Sequence, residues 1–156
     1  MVLFGAVLAV LLVGAGWNYQ RSHTGTFSFI APASWKGYTE KKTVSSDGYE
    51  SVEFYLPLSK PLNGSSTYRI GALYVVPLSV WDKEKDDRSS VEASMKWAGT
   101  KELKRDKKNA YVFYGYSVYL GSDCVKSPFK ADYRELCEAN LEAQSVSSDN
   151  LVLGGQ

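Results

Sequence analysis

Histidine is almost missing from this chain of 156 residues: there is one, His23, and it lies beside an N-terminal hydrophobic segment rather than in the body of the sequence. Imidazole is the usual general base near neutral pH and the commonest zinc ligand. Its absence from the body excludes Ser–His–Asp and Cys–His triads there, and most zinc chemistry. Cysteine is limited to Cys124 and Cys137, too few thiols for a metal site with no imidazole nearby. No metal and no cofactor is therefore expected. A surplus of either charge is also missing, since 18 Lys and Arg meet 17 Asp and Glu. Such a chain gives no general electrostatic reason to seek nucleic acid, so no nucleic-acid partner is expected. There is no phosphate-cradling glycine loop, because Gly154-Gly155 falls at the chain end, and there is no internal repeat.

What the chain does have is aromatic residues and one long apolar run. Eleven Tyr, six Phe and four Trp favour pleated, half-buried surfaces, where flat rings pack well. Val2 to Trp17 carries no charge. As a helix it reaches about 24 Å, short of the roughly 30 Å hydrocarbon core, with Trp17 and Tyr19 placed to sit at headgroup level. Residues 1–17 therefore read as a signal peptide or a membrane anchor, two readings that the residues leave open. A core helix would have to be apolar all round, which a domain this small can hardly cover. The expected location is extracytoplasmic, secreted or membrane-anchored, with the N-terminal segment as the membrane contact.

Residues 18–25 read as a polar linker and residues 26–146 as one domain, followed by a frayed tail over 147–156. Thr26 to Ala31 is expected as a first strand, stopped by Pro32, and Lys36 to Val44 as a second. Val52, Phe54, Leu56 and Leu58 alternate with Ser51, Glu53, Tyr55 and Pro57, the clearest strand pattern present. Ser59 to Ser66 reads as a loop with Asn63-Gly64 at its tip, and Tyr68 to Leu78 as a central strand. Trp81 to Arg88 (WDKEKDDR) is abruptly charged and reads as a loop. Its Asp82-x-Glu84-x-Asp86 spacing lacks the Gly and Glu that a calcium loop needs at its sixth and twelfth positions. Ser89 and Glu92 form a capping-box pattern for a short helix to about Ala98. A hairpin follows, Thr100 to Asp106 and Ala110 to Leu120. The last helix is expected over about Lys130 to Gln144, with Phe129, Tyr133, Leu136, Cys137 and Leu141 as its apolar stripe. The fold class is α+β: an antiparallel sheet of about six strands flanked by helices, preceded by one N-terminal hydrophobic helix.

The stretch FSFIAPASW (Phe27 to Trp35), then Lys36-Gly37-Tyr38 leading into a strand, resembles the opening of PsbP-like domains, whose fold is shared with the Mog1 nuclear-transport factor. The strands around Phe54 and Tyr74, the Trp81-Asp82-Lys83 segment and the helix near Tyr133 are similar in order. The resemblance implies an α/β/α sandwich over most of Thr26 to Gln144. It carries no reaction and no ligand-contacting residue, since one fold hosts many functions.

Two readings of the function remain. The first is a non-catalytic, envelope-associated accessory or protein-binding domain, a partner protein being expected and an enzyme not. The second is a small-ligand-binding protein or enzyme, with a cleft between the Trp81–Arg88 segment and the Tyr-rich strand. Trp81, Asp82, Lys83, Tyr114 and Tyr116 are its candidate binding residues. Tyr111, Phe113, Tyr114, Tyr116 and Tyr119 occupy both faces of that strand, and an uncovered face would be a ring-lined surface for a peptide or a sugar. Cys124 and Cys137, thirteen residues apart, either close a disulfide in an oxidising compartment or remain two free thiols.

Overall fold

Alternation decides which side of the long strand in the middle of the chain turns inward. Val52, Phe54 and Leu56 are almost fully buried, while Glu53 and Tyr55 between them stay half-buried. The computed structural model describes residues 19–21, 27–44, 48–86, 96–115 and 117–154. Within these, β1 (Tyr19–Arg21), β2 (Phe27–Ile30), β3 (Thr39–Val44), β4 (Glu50–Leu62) and β5 (Ser65–Pro77) lead to a short helix, α1 (Leu78–Glu84). β6 (Thr100–Arg105) and β7 (Asn109–Tyr114) follow. Then come α2 (Val118–Cys124), α3 (Phe129–Asp132), α4 (Arg134–Ala143), a 3-10 turn (Ser148–Asn150) and β8 (Leu151–Leu153). The fold is α+β. Its main sheet has five antiparallel strands in the order β3-β4-β5-β7-β6, and a second sheet has three, β1-β2-β8.

The inner face of the main sheet packs against the small sheet and α4. Its core joins Phe27, Phe29, Trp35, Phe54, Leu73, Tyr111, Phe113, Leu136 and Leu151. Two bulges, at Ile70 in β5 and Leu103 in β6, each turn one extra apolar side chain into this core. Phe113 lies in a slot with glycines on both sides. A methyl at Gly71 would come within 2.9 Å of its ring, and one at Gly115 would overlap the ring and press on Ala143. β4 and β5 turn at Asn63 and Gly64, whose φ of 49° and 81° make the two-residue turn that matches strand twist.

Several expectations are corrected. Ser59 to Ser66 is not a loop: both strands continue outward as a hairpin, leaving only its two-residue tip. Leu78–Glu84 is helical, because Trp81 needs one buried side and the charged positions around it point to water. The Tyr-rich strand ends at Tyr114, and Val118–Cys124 is a helix, its first turn capped by Ser117, whose Oγ accepts from Leu120 N at 3.2 Å. The last helix breaks at Tyr133 into α3 and α4. The polar linker is in part β1, paired with β2. The tail is not frayed, because β8 pairs with β2 and Leu151 is fully buried. The hydrophobic segment 1–17 lies outside the described residues, as does most of the Ser89–Ala98 helix. Among the described residues no helix is long and apolar enough to cross a membrane.

The β6–β7 turn is organised by Asp106. Its carboxylate accepts from Lys108 N at 2.7 Å, Asn109 N at 2.8 Å and Tyr111 Oη at 2.8 Å. Burial pushes this carboxyl up, but the two amides and the tyrosine outweigh it and hold it below the ordinary aspartate value. The stabilisation is therefore complete at neutral pH and is lost as pH falls through the lowered value. Replacing Asp106 by Asn should lower the urea midpoint at pH 7, and the gap from wild type should close below about pH 3.9, the ordinary aspartate value. A gap of constant size across that range counts against the assignment.

Candidate functional site

Pairing across the main sheet arranges the outer face in rows. One row runs Lys41, Glu53, Ala72, Tyr114, Thr100, and the next Thr43, Ser51, Tyr74, Val112, Glu102. Tyr55 and Arg69 pair at the far side of the first row. The rows differ in what covers them.

At the β6 end, α1 covers the sheet. Trp81 is buried against Trp97, with ring centroids 5.2 Å apart and planes at 85°, over Val76, Ala110 and Val112. Its Nε1 donates to Glu102 Oε2 at 2.5 Å. Arg105 holds the same carboxylate with both arms of its guanidinium, at 2.6 and 2.7 Å, and reaches Asp82 at 3.4 Å. The Arg105 guanidinium holds the Glu102 carboxyl below its usual range. Lys85 does the same for Asp82. Trp81 and Asp82 are thus brought together, but as a sealed lid on a second apolar cluster. Lys83 points to solvent beside them. Tyr114 lies two rows away on β7, with Val112 between its row and that of Ala110 under Trp81. Tyr116 lies outside the described residues. Among the described residues Trp81 is a buried ring of this lid, not a ligand-facing one.

The rest of the outer face reaches solvent. Tyr55, Tyr74 and Tyr114 are half-buried on the same face as buried Ser51 and Ala72, and Tyr74 also meets Trp97 of the lid edge-on, with centroids 6.4 Å apart. Tyr55 Oη donates to Glu53 Oε2 at 2.7 Å, and Arg69 Nη1 to Glu53 Oε1 at 2.8 Å. Burial raises the Glu53 carboxyl. The bonds from Tyr55 and Arg69, with the charge of Lys41 across the ladder, outweigh it and keep the carboxyl ionised. Burial pushes the Tyr74 phenol up, so it stays a neutral donor. Alternation in β4 and β5 could have located Tyr55, Arg69 and Tyr74 on this face. Sequence reasoning followed the Trp81–Arg88 segment and the Tyr-rich strand, and of this open face it named Tyr114.

No family model, curated protein or solved structure matches this chain. Three rings beside an ion pair, one of them (Tyr55) bonded to it, present flat apolar area with polar edges, a combination of residue types enriched where proteins meet.

A concavity of about 520 Å³ opens away from this face, between the Ala33–Lys36 segment and α4. Leu56 and Pro57 form its floor, with Glu135, Glu138 and Glu142 along one wall. Glu142 Oε2 accepts from both Ser34 N (3.0 Å) and Ser34 Oγ (2.7 Å), fixing the segment to the helix.

The two cysteines are bonded, Cys124 at the end of α2 to Cys137 on α4, with Cα atoms 5.5 Å apart. Buried Asn140 ties the other end of α2, its Oδ1 accepting from Ser117 N at 2.9 Å and its Nδ2 donating to Ser117 O at 3.2 Å.

Proposed function

We propose that this chain is a non-catalytic accessory domain that acts outside the cytoplasm and binds a partner protein through the open part of its outer sheet face. The observation that carries the reading is the Tyr55–Tyr74–Tyr114 surface with Arg69 and Glu53 locked beside it. The rings expose apolar area at low entropic cost, because the sheet fixes the backbone that carries them and the bond to Glu53 fixes Tyr55 as well. The Cys124–Cys137 bond suits an oxidising compartment. The apolar run Val2–Trp17 supplies an export or anchoring signal of the right composition. The reading includes the resemblance of FSFIAPASW and the sequence that follows it to a PsbP-like domain.

The test is recovery of a stoichiometric partner from detergent-solubilised membranes of the source cells. Tyr114→Ala and Arg69→Ala should each weaken capture at least tenfold, the scale of a binding hot spot. Glu138→Lys, in the α4 concavity, should leave it intact. A chain recovered alone, or a partner held equally well by both variants, rejects this site.

The concavity beside α4 favours a second reading, a small polar ligand held over Leu56 and Pro57. It predicts saturable, ligand-induced thermal stabilisation that Glu138→Lys abolishes and Tyr114→Ala does not. Stabilisation insensitive to Glu138→Lys rejects it.

A further inference from the structure

β3 is the outermost strand of the main sheet, and no strand among the described residues pairs with its free side. Its six residues run against β4 in unbroken register. The opposite edge, β6, is broken by the Leu103 bulge, a device that discourages pairing with another chain. β3 has no such break, and among the described residues its guard is charge, Lys41 and Lys42. A charge guard fails against a strand that brings the opposite charge in register.

We propose that β3 pairs with β3 of a second copy of this chain, antiparallel and centred on Lys41, so that Glu40 of each copy faces Lys42 of the other. A two-fold axis normal to the sheet is the operation that joins one edge to its own copy as a continuous antiparallel sheet. Opposed residues then share a face, so even-numbered residues meet even-numbered ones. Centring on Glu40 sets two carboxylates together. Centring on Lys42 sets two ammonium groups together beside apolar Val52, the ladder partner of Lys42. Centring on Lys41 forms two opposite-charge pairs between Glu40 and Lys42. Its one like-charge contact, Lys41 with its copy, is flanked in each sheet by Glu53, the ladder partner of Lys41.

Two features of the edge fit this register. Glu40 is half-buried, and burial pushes its carboxyl up; its local partner is the neutral Tyr38 hydroxyl at 3.5 Å, so a cation opposite it supplies the missing charge. Val44, 64% exposed, comes to lie across from Tyr38 of the other copy, which is buried. Both outer faces then lie on the same side of one ten-stranded sheet, so the tyrosine surface is presented twice.

Sedimentation velocity on the full chain in mild detergent, across a concentration series, tests the proposal. Wild type should dimerise. Lys42→Glu and Glu40→Lys should each weaken the dimer about tenfold, and the double exchange E40K/K42E should restore it to within about threefold. Lys41→Cys should cross-link to its own copy under mild oxidation, and Thr43→Cys should not. If Glu40→Lys disturbs folding, Lys42→Glu and the Lys41→Cys cross-link decide the matter. A monomer throughout the series, or a dimer indifferent to Lys42→Glu, overturns the proposal.

Discussion

Replacing Trp35 by Ala should destabilise the domain by about 3–5 kcal/mol, the cost of deleting a large ring from a packed core. The ring is 1% exposed. It meets Phe54 at 5.6 Å, Phe29 at 6.0 Å, Tyr38 at 6.2 Å and Phe113 at 6.3 Å between centroids. These rings come from β2, β4, β7 and the segment before β3, so one side chain joins both sheets. Its Nε1 also donates to Ala139 O at 3.1 Å, adding α4 to the same centre. A domain of this size holds roughly 5–15 kcal/mol in all, so the variant should melt at least 10 °C lower and lie close to unfolding at 37 °C. Trp35→Phe keeps most of the packing and loses the hydrogen bond, and should cost about 1–2 kcal/mol. Equilibrium urea unfolding measures both. A Trp35→Ala loss below about 1.5 kcal/mol would mean that the sheets are joined by other contacts.

Removing the disulfide should be the next largest effect. Cys124 and Cys137 close a loop of thirteen residues, for which the chain-entropy model gives about 3 kcal/mol. The double variant Cys124→Ala/Cys137→Ala leaves no unpaired thiol and isolates this contribution. The loss should be local in its first effects. α2 is held at its start by Asn140 and at its end by the bond, and its exposed Val118 and Tyr119 add little packing. Amide exchange over Val118–Cys124 should therefore speed up more than in β4, β5 and β7, whose ladder is unaffected. In the unreduced wild type neither cysteine should take up an alkylating reagent. Alkylation without reductant, or uniform exchange changes across the sheet, contradicts this account.

Legibility in the sequence followed the range of the interaction that settles each element. β4 announced itself because Val52, Phe54 and Leu56 alternate with wetter residues over a half-buried surface, a two-residue repeat written within the strand. The Asn63-Gly64 tip was equally plain, since the turn depends on those two residues alone. The hairpin arms beside it were not. From Ser59 to Leu62 and Ser65 to Thr67 the ribbon stands away from the core, so no apolar repeat marks it. α1 was hidden because seven residues with one buried ring, Trp81, do not make a helical period. Val118–Cys124 misled in the other direction. Its Val and Tyr favour strand, but Phe113 fills the space that a side chain at Gly115 would need, and the Ser117 cap with Asn140 starts a helix there. Tertiary contacts outweighed local preference.

For the candidate surface, Tyr114 was found and Tyr55, Tyr74, Arg69 and Glu53 were not. Each lies on the outer face of its own strand by simple alternation. That they share one open region depends on strand order and on how far α1 extends, and neither is a property of any single segment.

By itself, the sequence determined the α+β class, the inner face of β4, the place of the long hairpin's turn, and the pairing chemistry open to its two cysteines. These depend on neighbours a few residues apart, whose periodicity and turn preferences survive in any context. Only the tertiary structure decided that the ends of the described chain form a sheet with β2, that Trp81 closes a core rather than a cleft, and which rings reach water together. Those outcomes rest on contacts between residues far apart in the chain, such as Asn150 with Ile30, 120 positions away, and distance along the chain carries no local signal of them.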